Sequence, residues 1–209
     1  MINYPNQKKI SNLTKEEKLI KSSDKKKYSA ANRGMDFEKA INSSNSFYDD
    51  QNRAVITKRP TPIKVVKVDY AHNCKIVDAY FEKQSTTDYN GVYKGKYIDF
   101  ECKETKSQTS LPFTNISLHQ IKHLEKVIKH GGIAFFLIYF IQLGEIYLLD
   151  AKYVIEAYSK INERKSIALS TIKENGYLVE QGFIPRVKYL DVVDEVYFNE
   201  KSKQEIKNF

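Results

Sequence analysis

Residues 132–140 limit the possible folds more than any other segment, because they form a run that is apolar on both faces of a strand. Such a run is typical of the centre of an α/β sheet, where helices cover both faces. Residues 145–149 follow after a turn and can pair antiparallel with it. The apolar run is nine residues at most (133–141), which is too short to cross a membrane. The segment therefore predicts an α/β domain built on a mixed central sheet.

Helical periodicity predicts the covering layers of this sheet. Apolar side chains recur at helical spacing between residues 36 and 49, and a second helix opens at Ser117 and ends at Gly131. Asp150 is expected to cap a third helix, and residues 170–175 to form a short fourth one. Residues 107–114 are expected to be a polar loop, and residues 187–190 a last segment that pairs as a strand. A chain of 209 residues can bury one sizeable core in this way.

In one predicted strand, residues 97–103, polar and apolar side chains alternate, and the polar face carries the residue types of a catalytic metal site. Tyr97, Asp99, Glu101 and Lys103 share one face of it, while the apolar side chains between them share the other. Asp88, on a neighbouring strand, would place a second carboxylate beside Glu101. Two carboxylates and an ammonium suit a Mg²⁺ site that cuts a phosphodiester, because the cation neutralises phosphate charge and lowers the pKa of water. The same pattern also fits an edge strand with a cross-strand salt bridge.

Other polar residues near this strand have simpler interpretations. Gln120 lies three residues after Ser117, which is the spacing of a capping box at a helix N-terminus. Glu38 lies off the apolar stripe of the first helix, so it is expected to be solvated. His119 and His123 lie four residues apart without a third ligand at a familiar spacing, so they are expected at the surface or facing DNA rather than on zinc.

Four segments, in this order along the chain, carry a resemblance to a known family. They are NRGMDFE (32–38), KRPTPI (58–63), STTDY (85–89) and IDFECKET (98–105). Together they resemble the RecU family of Holliday junction resolvases of Gram-positive bacteria, over residues 32 to about 194. The resemblance implies a restriction-endonuclease-like core with an acid…acid-x-lysine active site. Cys102 stands where relatives often have a small residue such as alanine, and a buried cysteine is a small hydrophobe as well.

The resemblance also implies an activity and its residues. It implies a homodimeric endonuclease, dependent on Mg²⁺ with Mn²⁺ able to substitute, that resolves four-way junctions in DNA recombination and repair by paired nicking of opposed strands. Asp88, Glu101 and Lys103 would be catalytic, with Lys103 stabilising the transition state. Thr86, Asp88, Glu101 and Gln120 would form the metal site, so Gln120 has a second interpretation beside the helix cap. A recombinase or a branch-migration helicase is a candidate protein partner.

Residues 58–83 are predicted to form a basic β-hairpin. Two β-rich runs flank a short turn, and prolines at residues 60 and 62 mark the base. In the resembling family the corresponding insertion projects as a stalk into the open centre of the junction. The candidate DNA-binding residues are Arg33, Lys58, Arg59, Lys64, Lys67 and Lys75. The alternative is an extension of the central sheet with its aromatic residues buried, and Phe81 in particular is expected in the core.

Charge is concentrated at the N-terminus. Residues 1–34 contain nine Lys or Arg against three acidic residues, which gives +6 of the total of +8. We expect residues 1–31 to be a disordered basic arm that follows DNA phosphates, or a tail that aids solubility. Residues 32–199 would be a single nuclease domain and residues 200–209 a frayed tail. Only two cysteines and a charged N-terminus favour a cytoplasmic protein that is neither disulfide-bonded nor membrane-bound. The resolvase activity that the resemblance implies would make it nucleoid-associated.

Two other functions remain compatible with the sequence. One is a non-catalytic protein that binds junctions, anneals strands or regulates a recombinase on the same scaffold. The other is a nuclease that acts on the ends of linear duplexes. The intact acid, acid and lysine positions favour an enzyme over the first alternative, and the basic insertion favours junctions over linear ends.

Overall fold

The computed structural model describes residues 36–71, 74–82 and 86–199. The helices are α1 (Phe37–Asp50), α2 (Leu118–Lys129), α3 (Ala151–Ser159), α4 (Leu169–Asn175) and α5 (Tyr189–Val193), with a 3-10 turn at Phe113–Asn115 and a π-helical turn at Asp194–Phe198. The strands are β1 (Val55–Lys58), β2 (Ile63–Asp69), β3 (Lys75–Phe81), β4 (Tyr89–Tyr93), β5 (Lys96–Thr105), β6 (Ser110–Pro112), β7 (Ile133–Phe140), β8 (Glu145–Asp150), β9 (Ser166–Ala168) and β10 (Tyr177–Val179). The predicted arm, the predicted tail and Arg33 lie outside the described residues.

The central sheet has six strands in the order β1-β4-β5-β7-β8-β10. Strands β5 and β7 are parallel and are joined through α2, whereas the other neighbours are antiparallel. The predicted mixed α/β architecture is therefore confirmed. Among the described residues, no helix is both long enough and apolar enough to span a lipid bilayer.

The core has two layers, one on each face of the central strand β7, which is buried along its whole length. Phe135, Leu137 and Tyr139 face the layer formed by α1 and α5. The alternate residues of the strand face the layer formed by α2, α3 and α4. Successive side chains of this strand thus enter opposite apolar layers. Because both faces of the strand are buried, residues 133–140 contain no charged side chain.

A stack of three aromatic rings fixes the pairing of the strands that carry the site. Tyr89 on β4, Phe100 on β5 and Phe135 on β7 stack with ring centroids 5.0 and 4.8 Å apart. Tyr89 and Phe100 are direct partners in the antiparallel ladder. Because Asp88 precedes Tyr89 and Glu101 follows Phe100, this register sets the two carboxylates opposite each other on the other face of the sheet.

Strands β2 and β3 form a two-stranded antiparallel sheet of their own. Nearly all of their side chains are exposed, among them Tyr80 and Phe81, and Tyr70 directly after β2 is exposed as well. The expectation that Phe81 lies in the core is wrong, since 77% of it is exposed. A hairpin that pairs with no other strand gives an aromatic side chain no core to enter. Insertion of this hairpin into a junction stays a prediction.

Two local predictions are also wrong. Residues 110–112, expected in a polar loop, form β6 and pair with β9, so that Leu111 and Ile167 enter the core. Residues 187–190, expected to pair as a strand, make one isolated bridge at Val187 and then enter α5. Both segments are short, and three to five residues are too few for periodicity to distinguish strand, loop and helix.

Gly91 gives a test of the sheet edge, where β4 approaches β1 closely. A methyl group on Gly91 would lie 2.7 Å from the Ile56 Cα and collide with the Val55 carbonyl oxygen. We expect Gly91→Ala to lower the free energy of unfolding by about 2 kcal/mol or more, because backbone atoms of β1 must move. Urea denaturation measures the change. Val92→Ala, at the adjacent exposed position, is the control and should cost under about 1 kcal/mol; equal losses in both variants would contradict this packing.

Candidate active site

Strand β5 turns a polar face towards helix α2, and this face holds the site. Asp99, Glu101 and Lys103 alternate with Ile98 and Phe100, which enter the opposite apolar layer. Glu101 is 1% exposed and Asp99 is fully buried. An ordinary amphipathic strand would leave such a face in water, so the burial of two carboxylates under α2 distinguishes this strand from a salt-bridged edge strand.

The structure brings together four of the predicted site residues. The Lys103 Nζ lies 2.7 Å from the Glu101 Oε1, and the Gln120 Nε2 donates to the same oxygen at 2.6 Å. The backbone N–H of Asp88 donates to the Glu101 Oε2 at 3.2 Å. The backbone N–H of Cys102 donates to the Asp88 Oδ2, also at 3.2 Å. Each carboxylate is therefore held by the backbone of the other strand, which fixes the distance between them.

The electrostatics of this cluster favour a cation. Burial raises the pKa of Glu101 to about 8; the nearby Asp88 carboxylate also raises it, while Lys103 lowers it. A carboxylate that burial and a second acid make hard to ionise gains from a divalent ion between the two acids. Among the described residues no three His, Cys, Asp or Glu side chains are arranged to hold an ion by themselves. Two carboxylates suit Mg²⁺, which usually keeps several water ligands.

Gln120 caps helix α2 and contacts Glu101 in the same conformation. Its Oε1 accepts the backbone N–H of Ser117 at 3.0 Å and closes the N-terminus of α2. Its Nε2 donates a hydrogen bond to the Glu101 Oε1. Because its oxygen accepts from the cap and its nitrogen donates to Glu101, the amide orients the Glu101 carboxylate, and its place in a metal site stays a prediction.

A cleft of about 610 Å³ gives access to the cluster. Asp88, Cys102 and Lys103 line it, together with Glu38 at the start of α1. Glu38 is not simply solvated, because its Oε1 lies 2.5 Å from the Nζ of Lys58. Thr86 lies in a bend two residues before Asp88, and no hydrogen bond between described residues joins its side chain to the four clustered residues.

The candidate DNA-binding residues fall into two groups. Lys64, Lys67 and Lys75 lie exposed on the hairpin, and Lys58 is exposed at its base. The side chain of Arg59 is only 17% exposed, and its Nη2 lies 2.7 Å from the Oδ2 of the buried Asp99. A guanidinium held in this way is not free to bind a phosphate. Arg59 instead forms a buried ion pair with Asp99.

A buried network around Asp99 was missed by sequence reasoning. The Tyr97 hydroxyl and the His123 Nε2 both lie 2.8 Å from the Asp99 Oδ2, and the Thr87 hydroxyl donates to the Oδ1. The expectation that His123 lies at the surface or faces DNA is therefore wrong. The sequence did place Asp99 on the face of Glu101, and that shared face was the available signal.

Arg59 ties this network to the segment that carries Asp88. Its backbone N–H donates to the Asp88 carbonyl oxygen at 2.8 Å, and its guanidinium donates to Thr87 at 3.1 Å and to Asn90 at 3.2 Å. Asp99 holds the same guanidinium from strand β5. The pair thus fastens the start of β4 onto β5 beside the two carboxylates, and it positions Asp88 from the wall of the cleft.

Arg59→Met tests this fastening. The substitution leaves the Asp99 carboxylate buried without its cationic partner, and we expect the free energy of unfolding to fall by about 3–5 kcal/mol. The control is Arg53→Met, which removes a guanidinium that bridges the more exposed Asp191 and Asp194. Its expected loss is about 1 kcal/mol. Chemical denaturation measures the free energy of unfolding of both variants. If Arg59→Met loses no more stability than Arg53→Met, the role of the buried pair is contradicted.

The sequence comparisons with known proteins agree on one family. The family model described as recombination protein U matches residues 32–195. The chain is 48% identical over 202 residues to proteins named Holliday junction resolvase RecU from Bacillus thuringiensis (strain Al Hakam) and from Bacillus cytotoxicus. Each match covers 95% of this chain and 99% of the relative. Among solved structures, the resolvase Hjc of Archaeoglobus fulgidus matches with a TM-score of 0.36 and 11% identity, over 66% of this chain and 94% of that one.

Proposed function

The chain belongs to the RecU family, and from this we propose that it resolves Holliday junctions as a structure-selective endonuclease in DNA recombination and repair. Holliday junction resolvases are endonucleases, so the protein is a hydrolase. The observation that carries the proposal is the meeting of Asp88, Glu101 and Lys103 at one cleft, on strands whose register the aromatic stack fixes. A non-catalytic scaffold would have no need to bury a carboxylate whose pKa is raised to about 8.

Asp88 and Glu101 are the residues proposed to hold Mg²⁺, with Mn²⁺ as a substitute. When bound, the ion would neutralise phosphate charge and lower the pKa of a nearby water. Gln120 orients Glu101 by its amide, and the backbone of each strand holds the carboxylate of the other. Thr86 remains a candidate ligand for the metal, since it lies two residues before Asp88 and carries a hydroxyl.

Lys103 is proposed to stabilise the transition state. Its ammonium lies at the cleft, only 16% of its side chain is exposed, and Glu101 holds it in place. An ammonium fixed in a partly dehydrated site stabilises charge that develops on the attacked phosphate more strongly than a mobile one in water. In-line attack by water would leave a 5′-phosphate and a 3′-hydroxyl.

The assembly is proposed from the symmetry of the substrate. One chain offers one site, whereas resolution needs two nicks in a two-fold symmetric junction, so a homodimer supplies both. The exposed hairpin with Lys64, Lys67 and Lys75 is proposed as the stalk that enters the junction centre, and junction shape rather than base sequence would give selectivity. A recombinase or branch-migration helicase would act on the same junction, in the cytoplasm at the nucleoid.

Asp88→Asn tests the catalytic assignment. The substitution removes one carboxylate charge, so we expect cleavage of a labelled four-way junction with Mg²⁺ to fall by at least about 10³-fold, while junction affinity measured without Mg²⁺ is kept. Asp50→Asn, at an exposed position of α1, is the matched control and should cleave normally. Linear duplex and single strands serve as competing substrates. Normal cleavage by Asp88→Asn, or equal cleavage of linear duplex, would refute the proposal.

Gln120→Ala tests the double role of the amide. Loss of the cap should lower the free energy of unfolding by about 1 kcal/mol, and loss of the bond to Glu101 should lower the cleavage rate by about 10–100-fold. The rate is measured well below the melting temperature, so that the two effects separate. Gln142→Ala, which removes an exposed amide bonded to Gln108, is the control. A destabilised Gln120→Ala that cleaves at the normal rate would leave Gln120 as a helix cap alone.

A further inference from the structure

Helix α2 is the most basic helix of the part of the chain that the structure describes. It carries Lys122, Lys126 and Lys129 against Glu125, a balance of +2. Helix α1 carries one lysine against three acids, α3 and α4 are each balanced, and α5 is acidic. The excess is local, since residues 35–209 together carry only +2 of the total of +8. A basic helix on a nearly neutral domain marks a surface that an anion can use.

The three lysines are exposed, and no carboxylate of the described residues forms an ion pair with any of them. Elsewhere in the described chain, surface lysines such as Lys94, Lys160 and Lys188 are paired with acids. An unpaired ammonium is fully available to a phosphate oxygen, because no internal salt bridge must first be broken.

The packing of α2 aligns these lysines in one stripe. Ile121 and Leu124 pack into the core shared with α3, while Gln120 and His123 meet strand β5. The lysines take the remaining, outward side, at spacings of four and three residues. Seven residues of helix extend about 10.5 Å, and one strand of duplex DNA places a phosphate about every 3.4 Å along its axis, so the stripe spans about three phosphates.

The stripe begins beside the active site and runs away from it. Lys122 lies two residues after Gln120, whose amide holds Glu101. Towards the C-terminus of the helix, Val127 lies near Gly132, which in turn lies near Tyr97 at the far end of the polar face of β5. A DNA backbone lying along the stripe therefore has one end level with the clustered carboxylates, on the outward side of the helix that holds Glu101.

We propose that Lys122, Lys126 and Lys129 bind the phosphate backbone of one duplex arm of the junction where that arm leaves the active site. This inference rests on the proposed function and adds a second contact, distinct from the hairpin at the junction centre. The contact is to phosphates, so it positions the arm against Lys103 without reading sequence. A second copy of the chain is disfavoured here, because a two-fold interface through this surface would set the stripe against itself and bring like charges together.

The test compares two triple variants with the same loss of charge. The first is Lys122→Gln/Lys126→Gln/Lys129→Gln, and the control is Lys152→Gln/Lys165→Gln/Lys173→Gln, which changes exposed lysines on or beside α3 and α4. Binding is measured by fluorescence anisotropy in EDTA over a range of salt concentrations. The probe is a four-way junction with long arms of about 20 base pairs.

For the α2 variant we expect weaker binding of the long-armed junction, by tenfold or more at physiological salt, and a salt slope lower by about 2.7. The control variant should match the parent in both affinity and salt slope. A parent-like slope in the α2 variant, or an equal loss in the control, would overturn the inference. A change in mass by light scattering would assign the stripe to a protein interface instead and also overturn it.

Failure of this inference is separable from failure of the proposed function. If the parent cleaves four-way junctions with Mg²⁺ while the α2 variant binds as the parent does, the resolvase assignment stands and the stripe is excluded as an arm contact. If the parent cleaves no junction, the proposed function fails irrespective of the lysines. Thermal melts of both triple variants, compared with the parent, show that the fold is kept.

Discussion

The buried pair of Arg59 and Asp99 is the interaction on which the site depends. It joins β5 to the residues that precede and begin β4, and so it decides where Asp88 lies relative to Glu101. Removing two charges from water is expensive, and the pair is tolerable only because Tyr97, Thr87 and Asn90 complete its hydrogen bonds. An apolar pair in its place would hold the strands together without fixing their lateral position. The main effect of the buried ion pair is therefore to position the two strands, and its net contribution to stability is small.

The active-site residues themselves lower the stability of the fold, because they bury charge. Strand β5 buries carboxylates on the face that contacts α2, and the raised pKa of Glu101 shows how unfavourable its charge is there. Lys103 and Gln120 offset part of this by bonding one oxygen of Glu101. A divalent cation would offset the rest, so the arrangement that disfavours the charge of Glu101 would favour binding of such an ion. The basic stripe on α2 and the hairpin lie outside this cluster and are the surfaces proposed to contact the DNA backbone.

The sequence predicted the parts that periodicity controls. Alternation in residues 97–103 placed Asp99, Glu101 and Lys103 on one face, and the run at residues 132–140 identified the central strand. Arg59 was assigned to DNA because a lysine or arginine in a sequence looks the same whether its partner is a phosphate or a buried carboxylate forty residues away. Phe81 was placed in the core because local pattern does not tell whether a hairpin joins the sheet or projects from it. Helical spacing predicted the cap role of Gln120, and the family resemblance placed it near the metal site; only the structure shows that one amide both caps the helix and holds Glu101.

The most direct test of the central claim is an anomalous diffraction experiment on crystals soaked with Mn²⁺. The account predicts a Mn²⁺ peak between the carboxylates of Asp88 and Glu101, with the Lys103 ammonium beside it and Arg59 still bonded to Asp99. A map with no peak there, and with the two carboxylates turned away from each other, would contradict it.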